Sequence, residues 1–383
     1  MYKKNFIISL AMLAMSLLGI MTFNYYVDPA NQFYRAYLFP KKVANILLNK
    51  KEALINANYN ERSLQKLMLE NLSKQPEVLF LGSSHSLPIN HSFFKNSSFY
   101  NASVSAGMLE DDMALYYVYK KRGWLPKIVV ICLDPWIIDK NLALLLIPKG
   151  KDQWKTTLTS EFYAAKALVL NRNEHSSLFH ERINGLFDKY SQLLSMDYLK
   201  ASMKQMRGVA NQIILPSNSE KCPSCYTLLP DGARMPTKEE ELTSANQADL
   251  AVINQMQQTQ PSSHDINNLL DSEYKNIFEH FINYLIASNV KVIFYFPPLE
   301  PMAYAEVVGK NSNYKSIKIA EQYFTALAMK NHLDVIGSYD PARLSLNAND
   351  FIDSWHLKKE GVQKIFLGQY SPKTLPKSNS NRV

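Results

Sequence analysis

The sequence predicts an α/β protein: a three-layer α/β/α sandwich around a parallel sheet, with an N-terminal transmembrane helix and a largely helical insertion. Three features carry this expectation. Short apolar runs end in turn residues and alternate with amphipathic helical stretches, the pattern of a parallel sheet with helices on both faces. An uncharged apolar run sits behind two lysines at the start of the chain. The strand–helix rhythm breaks between residues 150 and 268 and then resumes.

Residues 6–23 (FIISLAMLAMSLLGIMTF) carry no charge, and a helix of that length just crosses a bilayer core. Lys3 and Lys4 precede the run and no basic residue follows it closely, which predicts an N-terminus inside and the rest of the chain outside. A cleaved signal peptide is the alternative. Against cleavage, no clean small-x-small site followed by a polar stretch is present, and Asn24, Tyr25 and Tyr26 read as the interfacial belt of an anchor. Residues 1–27 are thus expected to be a signal anchor, and residues 28–75 a helical stalk. Leu64, Leu67, Met68 and Leu72 share one helical face there, and Pro76 is expected to end the helix.

The first strong strand is 77–81, ending in Gly82, Ser83, Ser84 and His85. Residues 99–103 make a second strand, followed by Gly107; residues 109–121 read as a helix; residues 127–133 make a third strand, ending at Asp134, Pro135 and Trp136. After the insertion come a helix at 270–288, a strand at 291–296, a helix at 313–331, a short last strand at 333–336 and a final helix from about Lys358. The main domain is therefore expected to span 76–370, interrupted by a helical and irregular insertion or lid at 150–268. A polar, basic tail at 371–383 is expected to fray. Ligand sites in such folds form at the C-terminal ends of the strands. Ser84, Gly107 and Asp134 all fall there or just beyond.

Composition narrows the function. Only 12 of 383 residues are glycine, which argues against a Gly-rich nucleotide-binding protein. The net charge is +8, but the basic residues are scattered in pairs and no aromatic-interleaved basic stripe stands out. No nucleic-acid partner is expected. Of three cysteines, Cys222 and Cys225 form a lone CxxC in a polar loop. No second CxxC or HxxxH completes a zinc site, so no metal is expected, and an exported chain favours a structural disulfide over a redox pair. Cys132 lies in an apolar strand and reads as a small buried hydrophobe.

The chemistry is concentrated in two distant segments. A serine where a strand ends can present its Oγ to a cleft, but it needs a neighbouring base to act as a nucleophile. Asp353 and His356, three residues apart, fit one helical turn, so that the carboxylate can hold the imidazole in position. Ser84 follows the first strand and Asp353/His356 the last, so one parallel sheet can bring them together. His85 reads either as a substrate contact or as a cap. Trp136, Trp355 and Tyr295 read as core or rim aromatics, with stacking on sugar rings as the alternative.

At this point the sequence resembles a known family. A strand followed by Gly82-Ser83-Ser84-His85, then Asn101-x-Ser103-x-Ser105-x-Gly107, then Asp353-x-x-His356, resembles the blocks of the SGNH/GDSL hydrolases. The anchor followed by Tyr-Val-Asp-Pro is similar to the membrane-anchored branch, which includes the D-alanyl-transfer protein of teichoic-acid modification and the alginate O-acetylation proteins. The resemblance covers roughly 76–140 and 290–368. It implies an SGNH/flavodoxin-like sheet with Ser84 as nucleophile, His356 as base and Asp353 as its orienting partner. It also implies an oxyanion donor in the backbone N–H of Gly107. The family's third block usually offers an Asn; here the matching strand end reads Leu133, Asp134, Pro135, Trp136. Either the side-chain donor is missing, or Asn101 or His85 replaces it, and Asp134 is left to bind a substrate hydroxyl or to end the strand. The function implied is a serine esterase or acyltransferase without cofactor, held in the inner or plasma membrane with its domain in the periplasm or outside the cell. It would act on O-acyl groups of a cell-envelope glycan, with a membrane acyltransferase as a further partner. The alternative is a non-catalytic, polysaccharide-binding or acyltransferase-partner scaffold on the same fold.

Overall fold

The computed structural model describes residues 2–29, 33–56, 59–94, 96–139, 155–171, 190–206, 214–216, 222–258, 271–309 and 314–369. A five-stranded parallel sheet is built from β2 (Val78–Leu81), β3 (Phe99–Asn101), β4 (Ile128–Cys132), β8 (Lys291–Phe296) and β9 (Asp334–Gly337), in the order β3-β2-β4-β8-β9. All five strands coincide with the apolar runs that predicted them. Counted within this sheet the order is 2-1-3-4-5, one of the two common doubly-wound arrangements. Its topological switch lies between β2 and β4, the strands that end at Ser84 and at Asp134.

Strand side chains alternate between two cores, as a period of two demands. Leu79, Leu81, Val129, Ile131, Val292 and Phe294 enter one cluster, and Val78, Phe80, Ile128, Val130, Ile293 and Tyr295 the other. The first face is covered by α4 (Leu109–Lys120), α8 (Ser272–Ala287) and α10 (Lys315–Lys330). The second carries α11 (Lys359–Gln369) and single-turn segments such as Pro341–Leu344. The layers on the two faces are thus unequal. Tyr295 is fully buried in the second core, which makes it a packing residue and not a sugar platform. Between β8 and β9 also lies α9 (Pro301–Val308), whose N-cap Glu300 accepts from Met302 N and Ala303 N. The pattern of Glu300 before Pro301 signals that start, although the run itself is too short for a clear period.

Helix α1 (Tyr2–Val27) projects from this body. It is long and apolar enough to cross a membrane, with a mean hydropathy of 2.3 over its best window and none of that window buried. Its lower end is tied down. Asn24 Nδ2 donates to Leu193 O at 2.7 Å and the Tyr198 hydroxyl to Asp28 Oδ1 at 2.8 Å.

Residues 28–75 do not form the projecting stalk that their amphipathic pattern suggests. α2 (Arg35–Leu48) and α3 (Glu61–Asn71) bury Val43, Leu47, Leu64, Met68 and Leu69 in the main core. An apolar stripe of that size is stable only against a partner, and the sheet domain is that partner. α3 ends at Asn71, well before Pro76. Between the two helices lies β1 (Ala53–Ile55), which pairs antiparallel with β5 (Ile214–Pro216) and β6 (Tyr226–Leu228). With β7 (Arg234–Met235) they make a second sheet in the order β5-β1-β6-β7. The 150–268 insertion is therefore not simply helical and irregular. Besides α5 (Thr159–Leu170), α6 (Met196–Met206) and α7 (Ala245–Gln258), its described part supplies strands too short to show an alternating pattern. Residues 371–383 and the remainder of the insertion lie outside the described residues. Cys222 and Cys225 are joined in a disulfide that packs on Leu54, and Cys132 is buried in β4.

Candidate active site

β2 ends at Leu81, and Gly82 and Ser83 carry the chain into a single 3₁₀ turn, Ser84–Ser86. No α-helix follows the turn directly. The turn is pinned instead by short polar residues: Ser83 Oγ accepts from His85 N at 3.3 Å, and Ser86 Oγ meets Ser103 Oγ at 2.8 Å. Gly82 and Gly107 are both required by close approach. A Cβ on Gly107 would lie 2.5 Å from the carbonyl oxygen of Gly82, and one on Gly82 2.3 Å from the Cβ of Cys132. The SSH turn thus sits directly against the Gly107 loop and the end of β4.

The distant segment arrives from beyond β9. His356 Nε2 is 2.8 Å from Ser84 Oγ, across 272 positions of sequence. His356 Nδ1 lies 2.9 Å from both carboxylate oxygens of Asp353. The three-residue spacing works, but not through a helical turn. Residues 353–356 form a bend in which Asp353 Oδ1 accepts from the backbone N–H groups of Trp355 (2.8 Å) and His356 (2.9 Å), an Asp-centred turn that competes with helix locally. Neighbours hold the bend: Ile352 N donates to His356 O at 2.8 Å and Glu300 N to Ser354 O at 3.1 Å. Burial disfavours the Asp353 charge, but the His356 ring and the two backbone N–H donors outweigh it and hold the carboxyl well below the usual carboxylate range. Asp353 thus stays ionised through mild acid and keeps a proton on His356 Nδ1, leaving Nε2 as the acceptor facing Ser84. Serine, imidazole and carboxylate are ordered as a nucleophile, its base and the group that orients the base.

The expected oxyanion donors fare differently. Asn101 is fully buried, and its Nδ2 donates to Ser86 O (2.7 Å) and Ile89 O (2.8 Å) while its Oδ1 accepts from Ser103 N. It therefore closes the segment after the nucleophile and does not face the cleft. The Gly107 N–H is committed to Val104 O at 3.0 Å, and its carbonyl accepts from Trp136 Nε1 at 3.0 Å. Its role is the close approach to Gly82. Ser84 N, at the start of its turn, has no acceptor among the described residues and is the available backbone donor. Asp134 does not point to a substrate hydroxyl either. Its carboxylate is buried and bonds His85 Nδ1. Trp136 is buried and Trp355 half-buried; both flank His85.

Residues outside the recognised motifs brace this loop. Arg62, on α3, forms a bidentate pair with Asp111, with both contacts at 2.6 Å, and also donates to the carbonyls of Ser105 (3.5 Å) and Ala106 (3.4 Å). Glu61 accepts from Ser105 N and Ser105 Oγ and pairs with Arg234 of β7. Ala106 is held in the left-handed region at φ 51°, which a non-glycine residue adopts at a cost. The signal for these braces was present: Glu61 and Gln65 continue the buried stripe of α3, so a charge lies where an apolar residue was due. From the insertion, Arg234 N donates to Leu87 O, and Lys359 N donates to Glu241 Oε1 at 3.0 Å. The insertion thereby touches both halves of the site. It leaves the His356 and Asp353 side chains 35% and 36% exposed.

Asp112, in the first turns of α4, is 2% exposed and its Oδ1 has no hydrogen-bond partner. Burial first, then the negative neighbours Asp111, Asp134 and Glu110, push its carboxyl well above the ordinary carboxylate range. A raised folded-state pKa means that the native chain binds more protons than the unfolded one above the ordinary value, so stability falls as pH rises through that window. Asp112→Asn removes the titration. Its melting temperature should gain on the wild type as pH rises above the ordinary carboxylate range. A difference that does not change with pH would contradict the assignment.

No protein-family model matches the chain, and no curated protein matches its sequence. Among the described residues no cluster of three or more His, Cys, Asp or Glu could hold a metal ion.

Proposed function

We propose that this protein is a membrane-anchored SGNH-type serine acyltransferase or esterase that acts on O-acyl groups of a cell-envelope glycan. The observation that carries the reading is the relay from Ser84 Oγ through His356 to Asp353, at 2.8 Å and 2.9 Å, at the C-terminal edge of a parallel sheet with a 2-1-3-4-5 order. His356 takes the Ser84 proton as Oγ attacks the ester carbonyl. The proton then passes to the departing alcohol, and water or a glycan hydroxyl resolves the acyl-enzyme by the reverse sequence. The exposure of the dyad suits an acyl group borne on a polymer. The apolar α1 supports placement at a membrane, and the lysines before it support a domain outside the cytoplasm. The envelope glycan and an acyltransferase partner rest on the resemblance of the motifs.

A Ser84 unable to reach His356 would favour the scaffold reading, and the 2.8 Å separation weighs against it. A fluorophosphonate probe tests the choice. The full-length protein in detergent should be labelled, and His356→Ala should lose labelling because the serine is no longer activated. Absence of labelling in the wild type would return the scaffold reading.

A further inference from the structure

The base of α1 carries a cluster that neither the parallel sheet nor the candidate site uses. Phe33, Leu193 and Tyr198 bury one another, and Met21 and Tyr25 of α1 pack on them. The Phe33 ring lies 5.7 Å from that of Tyr198 and 6.0 Å from that of Tyr25. With the hydrogen bonds from Asn24 to Leu193 and from Tyr198 to Asp28, these contacts fix α6 and the turn before it, Gln192–Leu194, to the last turns of α1. Met21 lies inside the apolar run 6–23, about 3 Å from its end by helix rise. A segment held at that height stands at the boundary between hydrocarbon and headgroups once α1 crosses a bilayer.

The sequence of α6 suits that boundary. Tyr198 and Ser202 turn inward and are buried, whereas Met196, Met203 and Met206 are 63%, 46% and 68% exposed. On a helix of 3.6 residues per turn those three methionines fall within about 80° of arc, and Lys200 and Lys204 flank them on the side away from Ser202. Tyr26 and Tyr34, with ring centroids 5.4 Å apart, and Tyr37 in α2 are exposed as well, and Lys41 stands 5.6 Å over the Tyr37 ring. An apolar helix face left in water marks an interaction surface. Methionines flanked by lysines, next to a belt of tyrosines, are the composition of an interfacial helix.

We propose that α6 lies in the headgroup boundary of the bilayer with its methionine face on lipid, a second membrane contact that stops the domain from swivelling about its anchor; this rests on the reading that α1 crosses the membrane. Met196, Met203 and Met206 meet the acyl chains, the tyrosines sit at headgroup level, and Lys200 and Lys204 extend to anionic lipid phosphates. Continuity with α1 selects lipid as the occupant, because the Met21 and Asn24 contacts hold this face against the membrane whatever else the domain binds.

Single-cysteine labelling of the full-length protein tests this, because Cys222 and Cys225 are disulfide-bonded and Cys132 is buried. Met196→Cys, Met203→Cys, Leu13→Cys in α1 and Leu242→Cys, an exposed position beside the Lys358 segment, are each labelled with an NBD fluorophore. The proteins are reconstituted in vesicles of phosphatidylcholine and phosphatidylglycerol. Labels at Met196 and Met203 should be quenched by lipids carrying a nitroxide near the headgroup. They should also lose about threefold or more of the iodide quenching seen at Leu242, as fits a face buried about 5–10 Å into the boundary. The label at Leu13 should be quenched by nitroxides near the acyl-chain end. Iodide quenching at Met196 and Met203 equal to that at Leu242, with Leu13 still in the bilayer, overturns the proposal and leaves this face to a protein partner. A label at Leu13 open to iodide overturns the anchor reading along with it, so the two failures are distinguishable.

Discussion

Ser84→Ala is expected to cut turnover of an activated ester by about 10⁴- to 10⁶-fold, the cost of removing a nucleophile from a triad that works as a unit. The fold should survive, because Ser84 is half-buried and, among the described residues, its Oγ bonds only His356. The melting temperature should stay within the range of a neutral surface change, about 0.5 kcal/mol. A Ser84→Ala/His356→Ala double variant should be no worse than either single one, since each already disables the relay. Steady-state kinetics on the three proteins checks this. Additive losses, or a Ser84→Ala protein that retains its rate, would mean that the 2.8 Å contact is incidental.

Arg62→Leu is expected to be the most damaging change to stability. Arg62 and Asp111 are 1% and 5% exposed at the side chain. Removing the guanidinium strands a buried carboxylate, which costs about 3–5 kcal/mol and lowers the melting temperature by about 10 °C. It also frees the carbonyls of Ser105 and Ala106, and with them the loop that presses Gly107 onto Gly82. Arg62→Lys should not rescue, because an ammonium cannot reproduce the two-point fork. Replacing the pair together, Arg62→Leu with Asp111→Leu, should restore much of the stability, because apolar side chains often replace a buried ion pair without loss. Thermal unfolding of the three variants decides. A mild single variant, or a double variant worse than the single, would show that the pair is not an isolated electrostatic unit.

The sheet could be read directly because its physics is local. A buried parallel strand reads as a continuous apolar run, as at 78–81, 128–132 and 292–296, whereas the edge strands β3 and β9 carry Asn101 and Asp334. The N-terminal helix announces itself by length and lack of charge. The Ser84 and Asp353/His356 motifs were visible as residue types at strand ends. Their meeting was an inference from topology, since strands paired in one sheet bring their C-terminal ends to one edge however far apart they lie in sequence.

What could not be read depends on partners distant in the chain or on hydrogen bonds without a period. The strands of the second sheet hold two or three residues each, and β1 finds its place only because β5 and β6, more than 150 positions later, flank it. Arg62 looks like a surface charge on an amphipathic helix, and Glu61 shows only as a charge on its apolar stripe, until Asp111, Ser105 and Arg234 arrive beside them. Asn101 and Gly107 stood as oxyanion candidates, and only the accounting of each N–H and carbonyl shows both spent inside the fold. The sequence by itself determined the layered sheet, the apolar anchor and which side chains could do chemistry, because burial and period are written along the chain. Tertiary structure decided which of them face the cleft, because that turns on which donors the fold has already consumed.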